Sequence, residues 1–204
     1  TVNYCESYVM YACNGILINH ASTLRGETCV TRKITRATAK IAMGLQDKLY
    51  LGNLYAQRDW GHAKDYVEAM YLILQQETPT DYVIATGVTT RVREFVRMAF
   101  AEVGITIEFK GEGVDEKGYV AACESPDFQI EIGKEVVAID PKYFRPTEVE
   151  LLIGDPTKAK TKLGWQPKYD LKMLVEDMMT SDVNHFRKEK LLKDSGYVIK
   201  NQFE

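Results

Sequence analysis

Apolar and polar positions along the chain alternate between two periods, which predicts strands interleaved with helices. Met10–Ile18 is small and apolar and runs into Asn19-His20, predicting a buried strand that ends in a loop. From Val30 to Leu45, Ile34, Ala37, Ile41, Ala42 and Leu45 recur at helical spacing. Arg32, Lys33, Arg36 and Lys40 are expected on the solvent side of that helix. Lys48–Leu51 predicts a short strand closed by the turn pair Gly52-Asn53. Ala63–Gln76 predicts a helix whose buried stripe is Val67, Met70, Tyr71 and Leu74. Tyr82–Ala85 predicts another strand, closed at Thr86-Gly87.

The clearest helix is Val92–Val103, with Val92, Phe95, Val96, Ala99, Phe100 and Val103 on one side and Gly104 as its stop. Ile105–Phe109 alternates as a strand, Gly111–Ile132 is polar and predicts an irregular excursion, and Val136–Ile139 predicts a last short strand. Leu171, Leu174, Val175, Met178 and Met179 mark a final helix, with a charged tail from Arg187 expected to fray. No internal repeat interrupts this order. Strands and helices of these lengths predict an α/β fold with mainly parallel pairing.

The 204 residues fit one globular domain or two small lobes. With 45% apolar and 27% charged residues, the chain is neither a disordered tail nor a fibrous repeat. A net charge of −3 gives no broad field for nucleic acid or an anionic membrane. No apolar run approaches the ~20 residues of a membrane span. Cys5, Cys13, Cys29 and Cys123, like His20, His62 and His185, are scattered without metal-ligand spacing. The cysteines read as reduced thiols, as suits a cytoplasmic protein. The first eight residues resemble the middle of a helix rather than an initiator or a signal peptide, so the N-terminal part of a longer protein is expected to be missing.

No Gly-rich phosphate loop and no G-x-S-x-G elbow occurs, and none of the twelve tyrosines has a lysine four residues on. The chain therefore carries no complete catalytic kit. Several polar clusters are candidates instead. Asn19-His20, followed by Arg25-Gly26, lies directly after a predicted strand, where open α/β sheets bind ligands. Arg58, within Gln57-Arg-Asp-Trp-Gly-His62, could clamp a diphosphate bidentately or simply pair with Asp59 beside a core Trp60. Arg145 and Glu148 could hold phosphate and sugar hydroxyls, or open a short helical turn at Pro146. Lys33 and Arg36 share a helix face and either line an anion pocket or form a solvated stripe. Leu163-Gly-Trp165 reads as a helix stop and an aromatic anchor.

Asn14-Gly-Ile-Leu-Ile-Asn-His20, Arg25-Gly26, Val30-Thr-Arg-Lys-Ile34, Leu51-Gly-Asn53 and Arg58-Asp-Trp-Gly-His-Ala-Lys-Asp-Tyr-Val67 occur in that order. Phe144-Arg-Pro-Thr-Glu-Val149, Gly154-Asp-Pro-Thr-Lys-Ala159 and Leu163-Gly-Trp165 follow. As a set they resemble the C-terminal half of the GDP-mannose 4,6-dehydratases, within the extended short-chain dehydrogenase/reductase family. The resemblance implies the C-terminal part of a Rossmann-like, mainly parallel sheet with a smaller mixed α/β substrate lobe. Elements of the NADP domain are then expected near 1–20 and 62–86, and the sugar-nucleotide lobe mainly in 21–61 and 87–204.

The activity implied is a redox-neutral lyase reaction, in which GDP-mannose loses water to give GDP-4-keto-6-deoxymannose by internal hydride transfer through NADP. The groups that carry this chemistry in the family precede the point where this chain begins, so the chain alone is expected to be inactive. By motif, His20 and Arg25 correspond to NADP contacts. Asn19, Lys33, Gly52, Asn53, Arg58, Arg145 and Glu148 correspond to positions around the GDP-sugar. GDP-mannose is the implied small-molecule partner, with a homo-oligomer, no nucleic acid and no membrane. The family usually has Asn-His-Glu-Ser-Pro-Arg-Arg-Gly where this chain has Asn19-His-Ala-Ser-Thr-Leu-Arg-Gly26. Two alternatives stay open: another nucleotide-sugar epimerase or reductase of the family, and a non-catalytic GDP-sugar-binding or assembly module.

Overall fold

The computed structural model describes residues 7, 8, 10–143 and 149–197. In chain order the elements begin with β1 (Gly15–Leu17), β2 (His20–Ala21), α1 (Val30–Ala42), β3 (Leu49–Leu51), β4 (Gln57–Arg58) and β5 (Gly61–His62). There follow α2 (Ala63–Leu74), β6 (Tyr82–Ile84), β7 (Thr90–Arg91), α3 (Val92–Glu102), β8 (Ile105–Lys110) and β9 (Lys117–Cys123). The last are β10 (Glu135–Ile139), β11 (Leu151–Leu152), α4 (Thr157–Leu163) and α5 (Leu171–Asp194). They form two compact units. The first is Thr1–Leu24, Tyr55–Val92 and Thr147–Leu174; the second is Arg25–Leu54, Arg93–Pro146 and Val175–Glu204.

In the first unit β1 pairs with β6 and β2 with β5, both in parallel, while β4 lies between parallel β11 and antiparallel β7. Its core joins Tyr66, Ala69 and Ile73 of α2 to Tyr82 and Ile84 of β6, together with Ala159 and Trp165. Gly164 ends α4 in the left-handed region at φ +64°, which turns Trp165 inward. The indole Nε1–H then donates to the Asp65 carbonyl at 2.9 Å, giving a buried polar group its partner. The helix stop and anchor read from the sequence are both present.

Helix α2 is rotated from its expected setting. Val67, Met70, Tyr71 and Leu74 are exposed (62%, 39%, 63% and 62%), whereas Tyr66, Ala69 and Ile73 face the core. Both stripes have helical spacing, so periodicity could not choose between them. What selects the observed face is the shape of its partners: β1 and β6 present a flat apolar floor, and Trp165 closes on Tyr66.

The second unit holds a four-stranded sheet in the order β3-β10-β9-β8, with β3 and β10 parallel and the other pairings antiparallel. Its long antiparallel strand β9 lies inside the segment expected to be irregular. The strand sequence Lys-Gly-Tyr-Val-Ala-Ala-Cys shows no clean two-residue alternation, which hid it. At Gly118 the neighbouring Val137 comes within 2.9 Å of where a Cβ would stand, so that glycine is there for close packing. The buried stripe of α3 is the predicted one.

Two further corrections concern charge. Arg32 does not ride on the solvent side of α1; it is buried and pairs with fully buried Asp182 of α5 at 3.0 Å. Burial pulls the guanidinium's pKa down and pushes the carboxyl's up, and each partner opposes the other's shift. The tail from Arg187 does not fray, since α5 continues to Asp194. Arg187 pairs there with Asp127, and Lys190 Nζ donates to the Met43 carbonyl at 3.2 Å. Cys13, Cys29 and Cys123 are free thiols. Among the described residues no helix is long and apolar enough to cross a membrane.

The observed face of α2 makes a stability contrast. Ile73→Ala should lower the unfolding free energy by about 2–5 kcal/mol, while Val67→Ala should change it by less than about 0.5 kcal/mol. Urea midpoints of the two variants at constant slope check this, and the expected stripe would give the reverse order.

Candidate functional site

In the first unit, parallel β1 and β6 release their chains at the same end, one into Ile18–His20 and the other into Ala85–Gly87. That end is where an open α/β sheet offers a crevice. The Asn19 carbonyl accepts from Gly61 N–H at 3.0 Å, and in the pairing of β2 with β5 His20 stands opposite Gly61. The His20 imidazole is half-buried, with Nδ1 3.0 Å from the Ile18 carbonyl, and it stacks on the ring of Tyr66 at 4.6 Å between centroids. Arg58 lies on the central strand of β11-β4-β7, where its Nη1 donates to the Gln57 carbonyl at 2.9 Å.

Asp59 next to it is fully buried and organises the opposite loop. Its Oδ1 accepts from the Thr86 N–H at 3.0 Å and the Thr86 hydroxyl at 2.6 Å, and its Oδ2 from the Gly87 N–H at 2.9 Å. The acid read from sequence as a possible local partner of Arg58 therefore spends both oxygens on the turn after β6. Beside that turn lies a cavity of about 480 Å³, lined in part by Trp60, Thr86, Val88, Thr90, Tyr169 and Met173. His62 starts α2, its Nδ1 accepting from Lys64 N–H at 3.2 Å and its ring stacked on Tyr169 at 4.3 Å. The Tyr66 phenol has its pKa raised, chiefly by burial and further by Asp59 and Asp65, so it stays protonated.

In the second unit the carboxyl ends of parallel β3 and β10 gather another group. Gly52-Asn53 follows β3, and Asp140 after β10 is tied to it through Asp140 N–H to the Leu51 carbonyl at 2.9 Å. Lys33 of α1 holds its Nζ 3.5 Å from the centroid of the Tyr143 ring. Burial lowers the pKa of this ammonium, with nearby Asp140 acting in the other direction. Arg36, read as sharing a helix face with Lys33, pairs with Glu27 at 3.1 Å and covers the Phe186 ring.

The sequence candidates thus divide between the units: Asn19, His20 and Arg58 in the first, Arg25, Lys33, Gly52 and Asn53 in the second. Arg145 and Glu148 lie outside the described residues. No group of three metal-ligating side chains occurs among the described residues. Tyr66, Asp140 and Tyr143 were given no role from the sequence, while Asp59 was read only as a partner of Arg58 and Thr86 only as part of a turn.

A family model described as GDP-mannose 4,6 dehydratase matches residues 1–178. A GDP-mannose 4,6-dehydratase of Yersinia enterocolitica is 54% identical over 201 residues, which cover 98% of this chain and 54% of that protein. One of Sinorhizobium fredii is 57% identical over 186 residues, covering 91% of this chain and 50% of that protein. The chain spans about half the length of the curated relatives it matches. Among solved structures, that of RMD from Pseudomonas aeruginosa complexed with NADPH aligns with a TM-score of 0.70 at 16% identity, covering 90% of this chain and 52% of that one. A dTDP-glucose 4,6-dehydratase from Bacillus anthracis in complex with NAD aligns at 0.64 and 15% identity, covering 95% of this chain and 50% of that one. At such identities the likeness establishes a Rossmann-like α/β fold and nothing finer.

Replacing Asp59 by Asn puts an amide donor against one of the three donors the carboxylate now satisfies. Asp59→Asn should cost about 1–3 kcal/mol, and the loss should appear in a denaturant midpoint as well as in faster hydrogen exchange at Thr86 and Gly87.

Proposed function

The chain belongs to the GDP-mannose 4,6 dehydratase family, and on that premise we propose that it supplies the sugar-nucleotide part of an NADP-dependent GDP-mannose 4,6-dehydratase. The reaction is a lyase reaction that converts GDP-mannose to GDP-4-keto-6-deoxymannose. The observation that carries the reading is the gathering of Lys33, Gly52 and Asn53 at the carboxyl ends of β3 and β10, where a cation and a tight turn suit an anionic ligand. In this reading Arg58 and Arg145 are assigned to the diphosphate, Asn19 and Glu148 to hydrogen bonds with it or the ribose, and Lys33, Gly52 and Asn53 to the GDP-sugar.

NADP, when bound, supplies a reversible hydride acceptor. The residues present fit one side of such a group: a half-buried imidazole with Nδ1 engaged by the Ile18 carbonyl, at the carboxyl end of β1. His20 and Arg25 are the residues assigned to it. The first unit would then hold most of the dinucleotide-side elements and the second most of the sugar-nucleotide lobe. A cytoplasmic site of action and a homo-oligomer belong to the same reading, supported by the free thiols and the family respectively.

Calorimetric titration of the 204-residue chain tests this assignment. It should bind GDP-mannose in preference to UDP-glucose, and Arg58→Ala should weaken binding by about 10- to 100-fold, as for one charge-assisted phosphate contact. Equal affinity for both sugar nucleotides would refute it. With NADP and GDP-mannose the chain alone should release no 4-keto product, because the Tyr/Lys pair and the Gly-rich loop do not occur in its sequence.

A further inference from the structure

Tyr66 is fully buried, and its hydroxyl is buried without a hydrogen-bond partner among the described residues. That hydroxyl is a cost phenylalanine would avoid, so what the side chain supplies here lies in its ring and the contacts the ring makes. Three contacts define the setting. On one side the ring lies over Gly61 so closely that a Cβ there would stand 2.3 Å from Tyr66 Cε2. On another, Trp165 meets it edge-on, with centroids 6.3 Å apart at 84°. Trp165 is itself fixed by its bond to the Asp65 carbonyl and by the left-handed turn at Gly164.

The third contact is His20, stacked at 4.6 Å with 27° between ring planes. The imidazole is thereby held in two ways. The Ile18 carbonyl at 3.0 Å engages Nδ1 and favours a proton there, and the Tyr66 face sets the ring plane. Gly61, Trp165 and His20 thus all contact the Tyr66 ring, although Trp165 is far from His20 in sequence. All four belong to the first unit.

We propose that Tyr66, in contact with Gly61 and Trp165, is a positioning residue that sets the plane of the His20 imidazole, and so keeps Nδ1 aligned on the Ile18 carbonyl that fixes its tautomer, for a nicotinamide dinucleotide. The role of His20 in this inference rests on the reading given under Proposed function; its contacts with Tyr66 and Ile18 do not. Tyr66 touches no ligand and acts only through His20. Its ring is the functional part, so phenylalanine preserves the role and an aliphatic side chain removes it.

The experiment compares Tyr66→Phe, Tyr66→Leu and Trp165→Phe in the 204-residue chain, with NADPH and GDP as probes. Nitrogen-15 NMR of the His20 ring gives a ligand-free readout. Wild type and Tyr66→Phe should show one tautomer, protonated at Nδ1, and the ring-current shift of a stacked imidazole. Tyr66→Leu should lose that shift and average the tautomers, with Trp165→Phe between them. NADPH affinity should fall about 10-fold in Tyr66→Leu while GDP affinity holds, and His20→Ala should add nothing further in that background.

An unchanged His20 spectrum in folded Tyr66→Leu would overturn the proposal, as would equal loss of NADPH and GDP binding, which marks a merely structural residue. If Tyr66→Leu does not fold, Trp165→Phe decides by the same spectrum. A wild-type chain that keeps the fixed imidazole but ignores NADPH would instead refute the cofactor assignment of His20 and leave its positioning by Tyr66 standing.

Discussion

Parallel pairing constrains this chain more than any other feature, because it makes neighbouring strands leave a sheet at the same end. In the first unit it brings the loops after β1 and β6 side by side, and in the second it does so for those after β3 and β10. Loops carry polar backbone that cannot be buried unpaired, so they stay at the rim and remain able to meet a ligand. Asn19 and His20 sit on one such rim, and Lys33, Gly52 and Asn53 on the other. Helices and sheet serve mainly to hold those rims.

Buried polar groups then tune the rims. Asp59 is the clearest case: a carboxylate without solvent contact accepts three hydrogen bonds and fixes the Thr86–Gly87 turn. The Arg32–Asp182 pair is of a different kind. It is buried between α1 and α5, and the Nε and Nη1 of Arg32 have no hydrogen-bond partner among the described residues. Such a pair is weak support for stability but strongly disfavours any register that separates its members. Arg93 and Glu116 form another ion pair at 3.0 Å in the same unit, with Glu116 buried.

Where sequence patterns and structure part company, the cause is tertiary. The stripe of α3 was legible because Val92, Phe95, Val96, Ala99, Phe100 and Val103 share one face, and only Met98 and Ala101 among its apolar residues lie off it. α2 has two apolar faces, and only the floor of β1 and β6 with Trp165 above selects Tyr66, Ala69 and Ile73. Strand β9 was illegible because Gly118 and two alanines replace the expected alternation, and long antiparallel pairing with β8 holds it instead. Arg32 looked like a surface charge because its partner Asp182 is 150 positions away in the chain.

By itself the sequence determined the α/β class, the longer helices and the strands β1, β3, β6, β8 and β10, the helix stops at Gly104 and Gly164, and the family to which its motifs point. These are local matters: hydrophobic period, backbone freedom of glycine and short runs of fixed spacing are all read within a few turns of chain. Only the tertiary structure decided which face of α2 is buried, that Asp59 serves the turn after β6, and that Tyr66 and Trp165 carry His20. Each of these depends on groups that meet across tens to more than a hundred residues. Such meetings are set by packing and by the need of buried polar atoms for partners, and no periodicity records them.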